Sequence, residues 1–464
     1  MTGANVLNTA AAYAVKYLET LDSRPISTTA TLDELRARLT KPLPEAGRDP
    51  EHVISDLIGD AEGGILGSTN GRFFGWVIGG TLPVALAADW LTSTWDQNAA
   101  SNLTAPAEAV VEEVCGEWAK ELLGIPRSAS FAFVTGSQMA HATALAAARH
   151  RLLRDRGWDV EELGLAGAPP MRILTTESRH ESILRAVRLL GIGTRAVEYV
   201  PSDNSGRMLA GKLEEALQRS AEIPTVVCLQ AGDLNTGVFD PFDRICPIAR
   251  ATKAWVHVDG AFGLWVATSQ RYRHLLGGSE RADSWVTDGH KWLNLPFDSG
   301  LVFVADGAAH RAAFSQSTSY SVAVGELRNQ KDWNPEWSRR GRGFAAYAAI
   351  RALGRSGIGD LVDRCCAHAS RLVKSVGELP GVEVVAEPVI NQGLVRFLGS
   401  DGDHDRHTDC VIARIQRKGV AWFGGATWQG MRVMRVSVCN WLTTDRDIDQ
   451  TIETVHEAVS ESRA

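Results

Sequence analysis

Short runs of continuously apolar residues alternate with longer amphipathic segments through the middle of the chain. Apolar runs bounded by turn residues are typical of strands buried on both faces of a parallel sheet, with helices between them. We predict strands over residues 131–134, 172–176, 196–200, 225–229, 254–259, 284–287 and 301–304, and helices over 138–153, 182–190, 209–218 and 242–252. The pattern therefore predicts an α/β fold whose mostly parallel sheet is covered on both faces.

The two ends of the chain have different patterns. Residues 1 to about 60 are polar with helical character, and a further helix is predicted between Pro106 and Gly124. Beyond about Arg351 the order is a helix, strands over 382–385, 394–397 and 431–438, and a closing helix from Asp445. This order predicts a smaller α+β lobe after the α/β region.

Composition narrows the class of protein. The 464 residues include 48 basic and 55 acidic side chains, and the net charge of -7 argues against a nucleic-acid partner, whose usual footprint is a basic patch. No run approaches the roughly 18 apolar residues of a membrane span, and no signal peptide is evident at the start. The seven cysteines have neither metal-ligand spacing nor a disulfide framework. We therefore expect a cytoplasmic protein with reduced thiols and no metal, nucleic-acid or membrane partner.

Lys291 is the most informative residue, because it is the single lysine between Lys253 and Lys331 and lies beside Trp292 in an apolar setting. It follows the apolar run that ends at Asp259. Pyridoxal 5'-phosphate (PLP) needs an amine for its Schiff base and a carboxylate against its pyridinium nitrogen. These residues therefore predict a PLP site. By itself, Lys291 could equally pack its stem on Trp292 and expose its ammonium, and Asp259 could be a satisfied turn residue.

Two turns that join predicted strands to helices add to this picture. Gly136 and Ser137 open one helix, where free N–H groups and the positive end of the helix dipole favour a phosphate. His180 opens another helix and could stack on an aromatic ring. Taken singly, the first turn is better explained as a tight turn with an N-cap, and His180 as a helix cap. Together the signals support one site, because ligands gather at the carboxyl ends of parallel strands.

The segments that carry these signals resemble a known family. The matching stretches are 133–145, 178–193, 235–241, 257–263, 283–300 and 338–342. They are similar to the group II PLP-dependent amino-acid decarboxylases, which include the aromatic-L-amino-acid and glutamate decarboxylases. The resemblance implies the aspartate aminotransferase-like fold of PLP-dependent transferases (fold type I), with a seven-stranded, mostly parallel sheet and a smaller α+β C-terminal domain.

The resemblance also implies an assembly and a domain division. It implies a homodimer with active sites shared between subunits. Residues 1–90 would form an N-terminal segment that packs on the partner subunit. Residues 91–345 would form the large PLP-binding domain, and residues 346–464 the small domain.

Position by position, the resemblance implies roles for the site residues. Lys291 would be the Schiff-base lysine, Asp259 would pair with the ring nitrogen and His180 would stack on the ring. The other cofactor-binding positions would be Gly136, Ser137, Gln138, Asn235, Thr236, Ala261 and His290. Several relatives read Asn-Pro-His-Lys where this chain has Asp288-Gly289-His290-Lys291. Because a carboxylate near a phosphate is repulsive, we expect Asp288 to point elsewhere.

Tyr320 lies at the distance past Lys291 at which aromatic decarboxylases carry a loop tyrosine. In those enzymes this tyrosine helps to protonate the substrate carbon after carbon dioxide leaves. The resemblance therefore implies that Tyr320 is catalytic, together with Lys291 and His180. Relatives without the tyrosine tend towards oxidative deamination, which yields aldehydes. The alternative is an ordinary surface-loop tyrosine.

The substrate pocket is the least determined part of the site. We expect Phe74, Trp76, Asn98 and Arg435 to bind substrate, with Asn98 contributed by the partner subunit. Trp76 could equally belong to the core, and Arg435 could form a structural salt bridge. The register of Tyr320 and Lys291 favours an aromatic substrate, and an acidic substrate remains open.

The predicted reaction is decarboxylation of an L-amino acid to its amine. One alternative is decarboxylation-coupled oxidative deamination to an aldehyde. A second is carbon–carbon lysis or transamination on the same fold. A third is a non-catalytic PLP-binding homologue, and the intact set of Asp259, His180 and Lys291 argues against it.

Overall fold

The larger sheet of the protein has seven strands. A computed structural model describes residues 4–316 and 328–462. The strands are β1 (Ser130–Val134), β2 (Arg172–Thr175), β3 (Val197–Tyr199), β4 (Thr225–Gln230), β5 (Trp255–Asp259), β6 (Ser284–Asp288) and β7 (Gly300–Val304), in the spatial order β1-β7-β6-β5-β4-β2-β3. Neighbours are parallel except where β7 pairs with β1 and β6. The predicted sheet is confirmed, with every strand end within one residue of its expected position.

Helices cover the sheet and continue into both ends of the chain. They are α1 (Ala4–Glu19), α2 (Leu32–Leu39), α3 (Pro50–Ala61), α4 (Pro83–Trp95), α5 (Pro106–Leu123), α6 (Ser137–Arg154), α7 (Val160–Leu163), α8 (Glu181–Leu189), α9 (Ala210–Gln218), α10 (Phe242–Ala251), α11 (Gly307–Ala312), α12 (Gly343–Gly377), α13 (His404–Lys418) and α14 (Asp445–Glu461). The alanine-rich α6 packs on β5, β6 and β7. Across residues 4–316 and 328–462, no helix has the length and apolarity to cross a bilayer.

Strands β1, β5 and β6 end at the same edge of the sheet. Val134 of β1 and Asp288 of β6 both lie opposite Gly300 of β7. A Cβ atom on Gly300 would lie 2.5 Å from the Cα of Gly136, so glycine is required where β7 passes the turn after β1. This close approach brings the turn before α6 beside the end of β6.

The C-terminal lobe contains a second, antiparallel sheet. Its strands are β8 (Val382–Ala386), β9 (Gln392–Phe397), β10 (Gly424–Trp428) and β11 (Met431–Ser437), in the order β10-β11-β9-β8. The predicted α+β lobe is confirmed, but β10 was missed. It begins with two glycines and forms a partly exposed sheet edge, so it lacks the apolar pattern of a buried strand. The long α12 begins at Gly343, earlier than predicted, and is kinked at Gly354.

The stretch between α3 and α4 contacts both lobes beside Lys291. The Phe74 N–H donates to the Trp422 carbonyl at 2.9 Å, and the Phe74 ring stacks on Phe423 at 5.1 Å. A Cβ on Gly79 would lie 2.1 Å from the Lys291 carbonyl oxygen. The expected division at residue 90 falls within α4, and the division of the chain into domains stays a prediction.

Candidate active site

A cavity of about 360 Å³ opens at the carboxyl edge of the larger sheet, where β1, β5 and β6 end. Its volume lies in the range of sites for small ligands. The predicted site residues that line it are Trp76, Gly136, Ser137, Gln138, His180, Asp259, Ala261, His290 and Lys291. Residues from well-separated segments of the chain therefore meet in one place.

The N-terminus of α6 forms one end of the cavity. Gly136 has no Cβ, and one placed there would lie 3.1 Å from Cε1 of His290. The Oγ atom of Ser137 is buried and has no hydrogen-bond partner among the described residues. Buried hydroxyls are normally satisfied, so this one is available to a ligand. Free N–H groups at a helix N-terminus also favour a ligand that is an anion.

The position of Asp288 corrects our expectation that it points away from this end. The Ser137 N–H donates to Asp288 Oδ1 at 2.6 Å, so the carboxylate caps the N-terminus of α6. Its Oδ2 lies 3.1 Å from Nζ of Lys291 and 3.7 Å from Nε2 of His290. We expected Asp288 to point elsewhere because a phosphate would repel its carboxylate. In the structure, a helix N-terminus and the lysine amine attract the carboxylate to the place where a phosphate is expected.

Lys291 follows β6 and projects into the cavity between several fixed groups. Its side chain is 18% exposed, and Nζ lies over the ring of Phe262 at 6.0 Å from the centroid as well as against Asp288. The close packing of Gly79 on its carbonyl holds the Lys291 backbone in place. The amine is thus positioned inside the cavity rather than extended into solvent.

Asp259 ends β5 and lines the same cavity as Ser137. Its Oδ1 accepts the Ala261 N–H at 3.1 Å, and its Oδ2 lies 3.4 Å from Nε2 of His141. Burial by itself would raise the pKa of Asp259, but His141, His180 and Lys291 together hold that pKa below its usual range. A carboxylate that stays ionised although buried is suited to pair with a cationic ligand group.

Two histidines also border the cavity. His180 is the N-cap of α8, and its Nδ1 accepts the Ser182 N–H at 3.2 Å, so it combines the capping role with a place in the cavity wall. Burial lowers the pKa of His180, and burial also lowers the pKa of His290 against the opposing effect of Asp288. The ring of His290 stacks on Phe297 at 4.3 Å. Both rings therefore favour their neutral form.

The sequence analysis missed several residues of the site. Gln230 lines the cavity at the end of β4 and donates to Ser178 Oγ at 3.1 Å. Phe297 also lines it and is 60% exposed. His141 and His257 lie behind Asp259. Their signal was spacing, because His141 is one helical turn after Ser137 and His257 shares a strand face with Asp259.

Other predicted residues do not line this cavity. Thr236 is buried and its N–H donates to Asp233 Oδ1 at 2.9 Å, as the Asn235 N–H does at 2.8 Å. The Phe74 ring is fully buried, and Asn98 accepts from the Arg339 N–H. Arg435 is buried on β11, where burial lowers its pKa to about 10 against the opposing effect of Asp233. The roles expected for these residues stay predictions, and Tyr320 lies outside the described residues.

Comparison with known proteins identifies the family. Residues 33–398 match the model of the pyridoxal-dependent decarboxylase conserved domain. The chain belongs to the pyridoxal-dependent decarboxylase family. It is therefore a PLP-dependent carboxy-lyase that converts an amino acid to an amine, which confirms the predicted family, reaction and cofactor.

Individual relatives within the pyridoxal-dependent decarboxylases differ in substrate. The chain is 25% identical over 450 residues to an aromatic-L-amino-acid decarboxylase of Bacillus atrophaeus, covering 94% of this chain and 91% of the relative. It is 29% identical over 329 residues to the acidic amino acid decarboxylase GADL1 of Xenopus tropicalis, covering 68% of this chain and 63% of the relative. Its structure is similar to that of Oryza sativa TDC with PLP and tryptamine, with a TM-score of 0.93 at 22% identity, covering 99% and 98% of the two chains. This likeness confirms the fold type I architecture.

The residues of the cavity fit PLP in most respects. The unpartnered Ser137 hydroxyl and the Gly136 turn suit a phosphate, and the ionised Asp259 suits a pyridinium nitrogen. The Lys291 amine belongs to the same cavity. Asp288 is the exception, because its carboxylate already accepts the Ser137 N–H. Within residues 4–316 and 328–462 there is no group of His, Cys, Asp and Glu side chains that could hold a metal ion.

Proposed function

We propose that the cavity at the carboxyl edge of the large sheet is the active site and that Lys291 is the residue to which PLP bonds. The observation that carries this proposal is the convergence of Lys291, Asp259 and His180 on one cavity with the unpartnered Ser137 hydroxyl. When bound, PLP supplies an electron sink for the substrate bond that loses carbon dioxide. The chain would supply the rest, since Asp259 would hold a proton at the ring nitrogen and His180 would stack on the ring.

Replacement of Lys291 tests this assignment. We expect Lys291→Ala to bind PLP without the visible absorption band of a lysine-bound cofactor and to release no carbon dioxide. Lys253→Ala is a suitable control, because Lys253 does not line the cavity. Carbon dioxide release by Lys291→Ala at the wild-type rate would show that the lysine and the cavity have been wrongly assigned.

We propose an aromatic L-amino acid as the substrate. The apolar side chains Trp76, Leu234 and Phe297 line the cavity, and Trp76 is 54% exposed although it packs on Trp422 at 4.5 Å. Aromatic side chains stack on such surfaces with energies beyond simple burial. Phe74, Asn98 and Arg435 remain proposed contacts, with Arg435 the candidate for the substrate carboxylate because it is a buried cation.

A second candidate is an acidic amino acid, which the position of Arg185 favours. Arg185 on α8 lines the cavity and could receive a side-chain carboxylate. A panel of L-amino acids should be incubated with the PLP-loaded protein while amine, aldehyde and carbon dioxide are measured together. An aromatic preference that Arg185→Gln leaves unchanged supports the first candidate. A preference for aspartate, glutamate or cysteine sulfinate that this variant removes supports the second.

Tyr320 stays our proposed proton donor to the substrate carbon. In the same panel in air, where dioxygen is the oxidant and water releases the ammonia, Tyr320→Phe should shift the product from amine to aldehyde, with peroxide and ammonia released beside carbon dioxide. An unchanged ratio of products would remove Tyr320 from the mechanism. Lysis or transamination as the main activity would appear instead as turnover without carbon dioxide.

We also propose that the protein is a cytoplasmic homodimer whose subunits share active sites. Apolar side chains are exposed on the N-terminal helices and on α4, namely Leu7, Val15, Leu18, Val53, Leu57, Val84, Trp90, Leu91 and Trp95. Extensive exposed apolar surface is typical of an interaction site. Residues 1–90 would then be the segment that packs on the partner, with 91–345 and 346–464 as the two domains. Light scattering of the holoenzyme should give twice the mass of one chain, and a monomer would contradict the proposal.

A further inference from the structure

A row of buried polar side chains extends from Asp259 into the protein, away from the cavity. Nε2 of His141 lies 3.4 Å from Asp259 Oδ2, and Nδ1 of His141 lies 2.9 Å from Nε2 of His257. Nδ1 of His257 lies 2.9 Å from the Ser284 hydroxyl, which accepts the indole N–H of Trp255 at 2.9 Å. The rings of His141 and His257 are both fully buried. The row crosses from β6 through β5 to α6.

The hydrogen bonds in this row can all run in one direction, starting from its far end. An indole N–H can only donate, so it uses a lone pair of the Ser284 oxygen and leaves the serine hydrogen free to donate to Nδ1 of His257. Nε2 of His257 must then carry the hydrogen that it donates to Nδ1 of His141. Nε2 of His141 then carries a hydrogen on the side of Asp259. Its 3.4 Å approach to Asp259 Oδ2 is an ion-pair contact rather than a formed hydrogen bond, and this nitrogen makes no hydrogen bond among the described residues. Each group in the row donates towards the carboxylate.

The reverse arrangement is unfavourable for a neutral His141. If Nδ1 of His257 donated to Ser284, then Nδ1 of His141 would have to donate to His257. A neutral His141 would then present a lone pair to the Asp259 carboxylate at 3.4 Å. Burial, and secondly His141, lower the pKa of His257 to about 3, so an extra proton on that ring does not resolve the conflict. Uncompensated repulsion of this kind is costly in a buried site.

We propose that His141, His257, Ser284 and Trp255 form a positioning chain that delivers one N–H to Asp259 and thereby keeps its carboxylate ionised towards the ring nitrogen of the cofactor. None of the chain's four members lines the cavity, and none is a catalytic residue. The inference rests on the proposed function, because it takes Asp259 to be the partner of the ring nitrogen.

A comparison of the affinities for two cofactors tests the positioning chain without a measurement of activity. PLP and its 1-deaza analogue, in which carbon replaces the ring nitrogen, are titrated into the cofactor-free protein. The affinity ratio is the affinity for PLP divided by the affinity for the analogue. His141→Phe keeps a ring of similar size but has no N–H to donate, and His141→Gln keeps a donor. We expect His141→Phe to lower the affinity ratio about 10-fold, the low end for a hydrogen bond to a charged group, and His141→Gln to restore part of it. A purely structural role would weaken both cofactors equally and leave the ratio unchanged.

The control variant Asp259→Asn distinguishes a failure of the positioning chain from a failure of the proposed role of Asp259. If Asp259→Asn lowers the ratio and His141→Phe does not, the positioning chain is wrong and the proposed role of Asp259 stands. If Asp259→Asn leaves the ratio unchanged, the proposed function of Asp259 fails. In the double variant, His141→Phe should have no further effect on the ratio, because the group it acts through has lost its charge.

A measurement on the unaltered holoenzyme keeps the proposal testable if the His141 variants do not fold. Nitrogen-15 NMR of the histidine rings distinguishes the two tautomers and the doubly protonated form. The two rings can be assigned through their proximity to the indole proton of Trp255. We expect both His141 and His257 to carry one hydrogen, on Nε2. A hydrogen on Nδ1 of either ring would overturn the proposed direction of the chain.

Discussion

The two ends of the proposed cofactor site each contain a buried carboxylate, and the surroundings of the two differ. Asp259 lines the cavity with Nε2 of His141 at 3.4 Å from its Oδ2, and its pKa is held below the usual range even though burial opposes this. Asp288 accepts the N–H of Ser137 and contacts the Lys291 amine. The first carboxylate is matched to a cationic ring nitrogen. The second occupies the place where the anionic phosphate is expected.

The difference shows that one end of a site can be preorganised for its ligand group, while at the other end the ligand group must displace a protein side chain. At the Asp259 end, a ligand cation would find its partner already oriented. At the Asp288 end, a phosphate must displace the carboxylate from the N-terminus of α6 or bind beside it with a shared proton. We therefore expect the two ends to respond in opposite ways to the same aspartate-to-asparagine change.

The largest expected effect is at the ring-nitrogen end. Asp259→Asn keeps the shape of the side chain and removes its charge, so kcat/KM should fall about 100- to 1000-fold, as when one preorganised electrostatic group is removed. Steady-state kinetics on the preferred amino acid measures this change. Asp288→Asn is the matched variant, and an equal loss in both would contradict the proposed difference between the two ends.

The next effect concerns the affinity for the cofactor at the phosphate end. Asp288→Asn should raise the affinity for PLP about 10-fold, because a nearby like charge disfavours the charged form of the phosphate. Pyridoxal has the same ring and aldehyde but no phosphate, so its affinity should change little. Fluorescence titration of the cofactor-free variants measures both. Equal changes for PLP and pyridoxal would show that Asp288 does not act on the phosphate.

The sequence predicted the two ends unequally, and the reason is physical. Asp259 could be placed because it ends an apolar strand, where an unpaired carboxylate is costly. The conformation of Asp288 depends on Gly136, Gly300 and Lys291 approaching one another in space, and no local pattern records that approach. Similarly, β10 was missed because its side chains lack the alternation of a buried strand. His141 and His257 were missed because each, by itself, is an ordinary residue of an apolar element.

A third effect should appear in the pH dependence of stability, and it belongs to the ring-nitrogen end. His257 has a pKa of about 3 in the folded protein, while an unfolded histidine titrates near 6.5. Between these values the unfolded chain binds a proton that the folded chain does not, so the free energy of unfolding falls as the pH falls from about 6.5 to about 3. Each such proton contributes a slope of about 1.4 kcal/mol per pH unit.

Denaturant unfolding of the cofactor-free protein at a series of pH values measures this slope. His257→Gln should reduce the slope by up to about 1.4 kcal/mol per pH unit, the contribution of one proton. His310→Gln should reduce it similarly, because burial, and secondly Arg328, also lower the pKa of His310 to about 3. Asp259 acts in the same direction, since a depressed carboxyl pKa contributes stability that is lost as the pH falls through that pKa. A slope that His257→Gln leaves unchanged would indicate that this ring is protonated in the folded protein.

The smallest effect tests whether the phosphate end recognises a phosphate at all. The Ser137 hydroxyl is buried without a hydrogen-bond partner among the described residues, so in the cofactor-free protein it contributes a desolvation cost and no bond. Ser137→Ala should therefore leave the unliganded protein as stable as the wild type or slightly more so. With PLP bound, the same variant loses one hydrogen bond, and the affinity should fall by about 1 kcal/mol, roughly 5-fold. Thermal melting without ligand and titration with PLP and pyridoxal measure these changes. A loss of affinity for pyridoxal as large as that for PLP would place the Ser137 hydroxyl away from the phosphate, and Asp288 would then no longer compete with the phosphate for the N-terminus of α6.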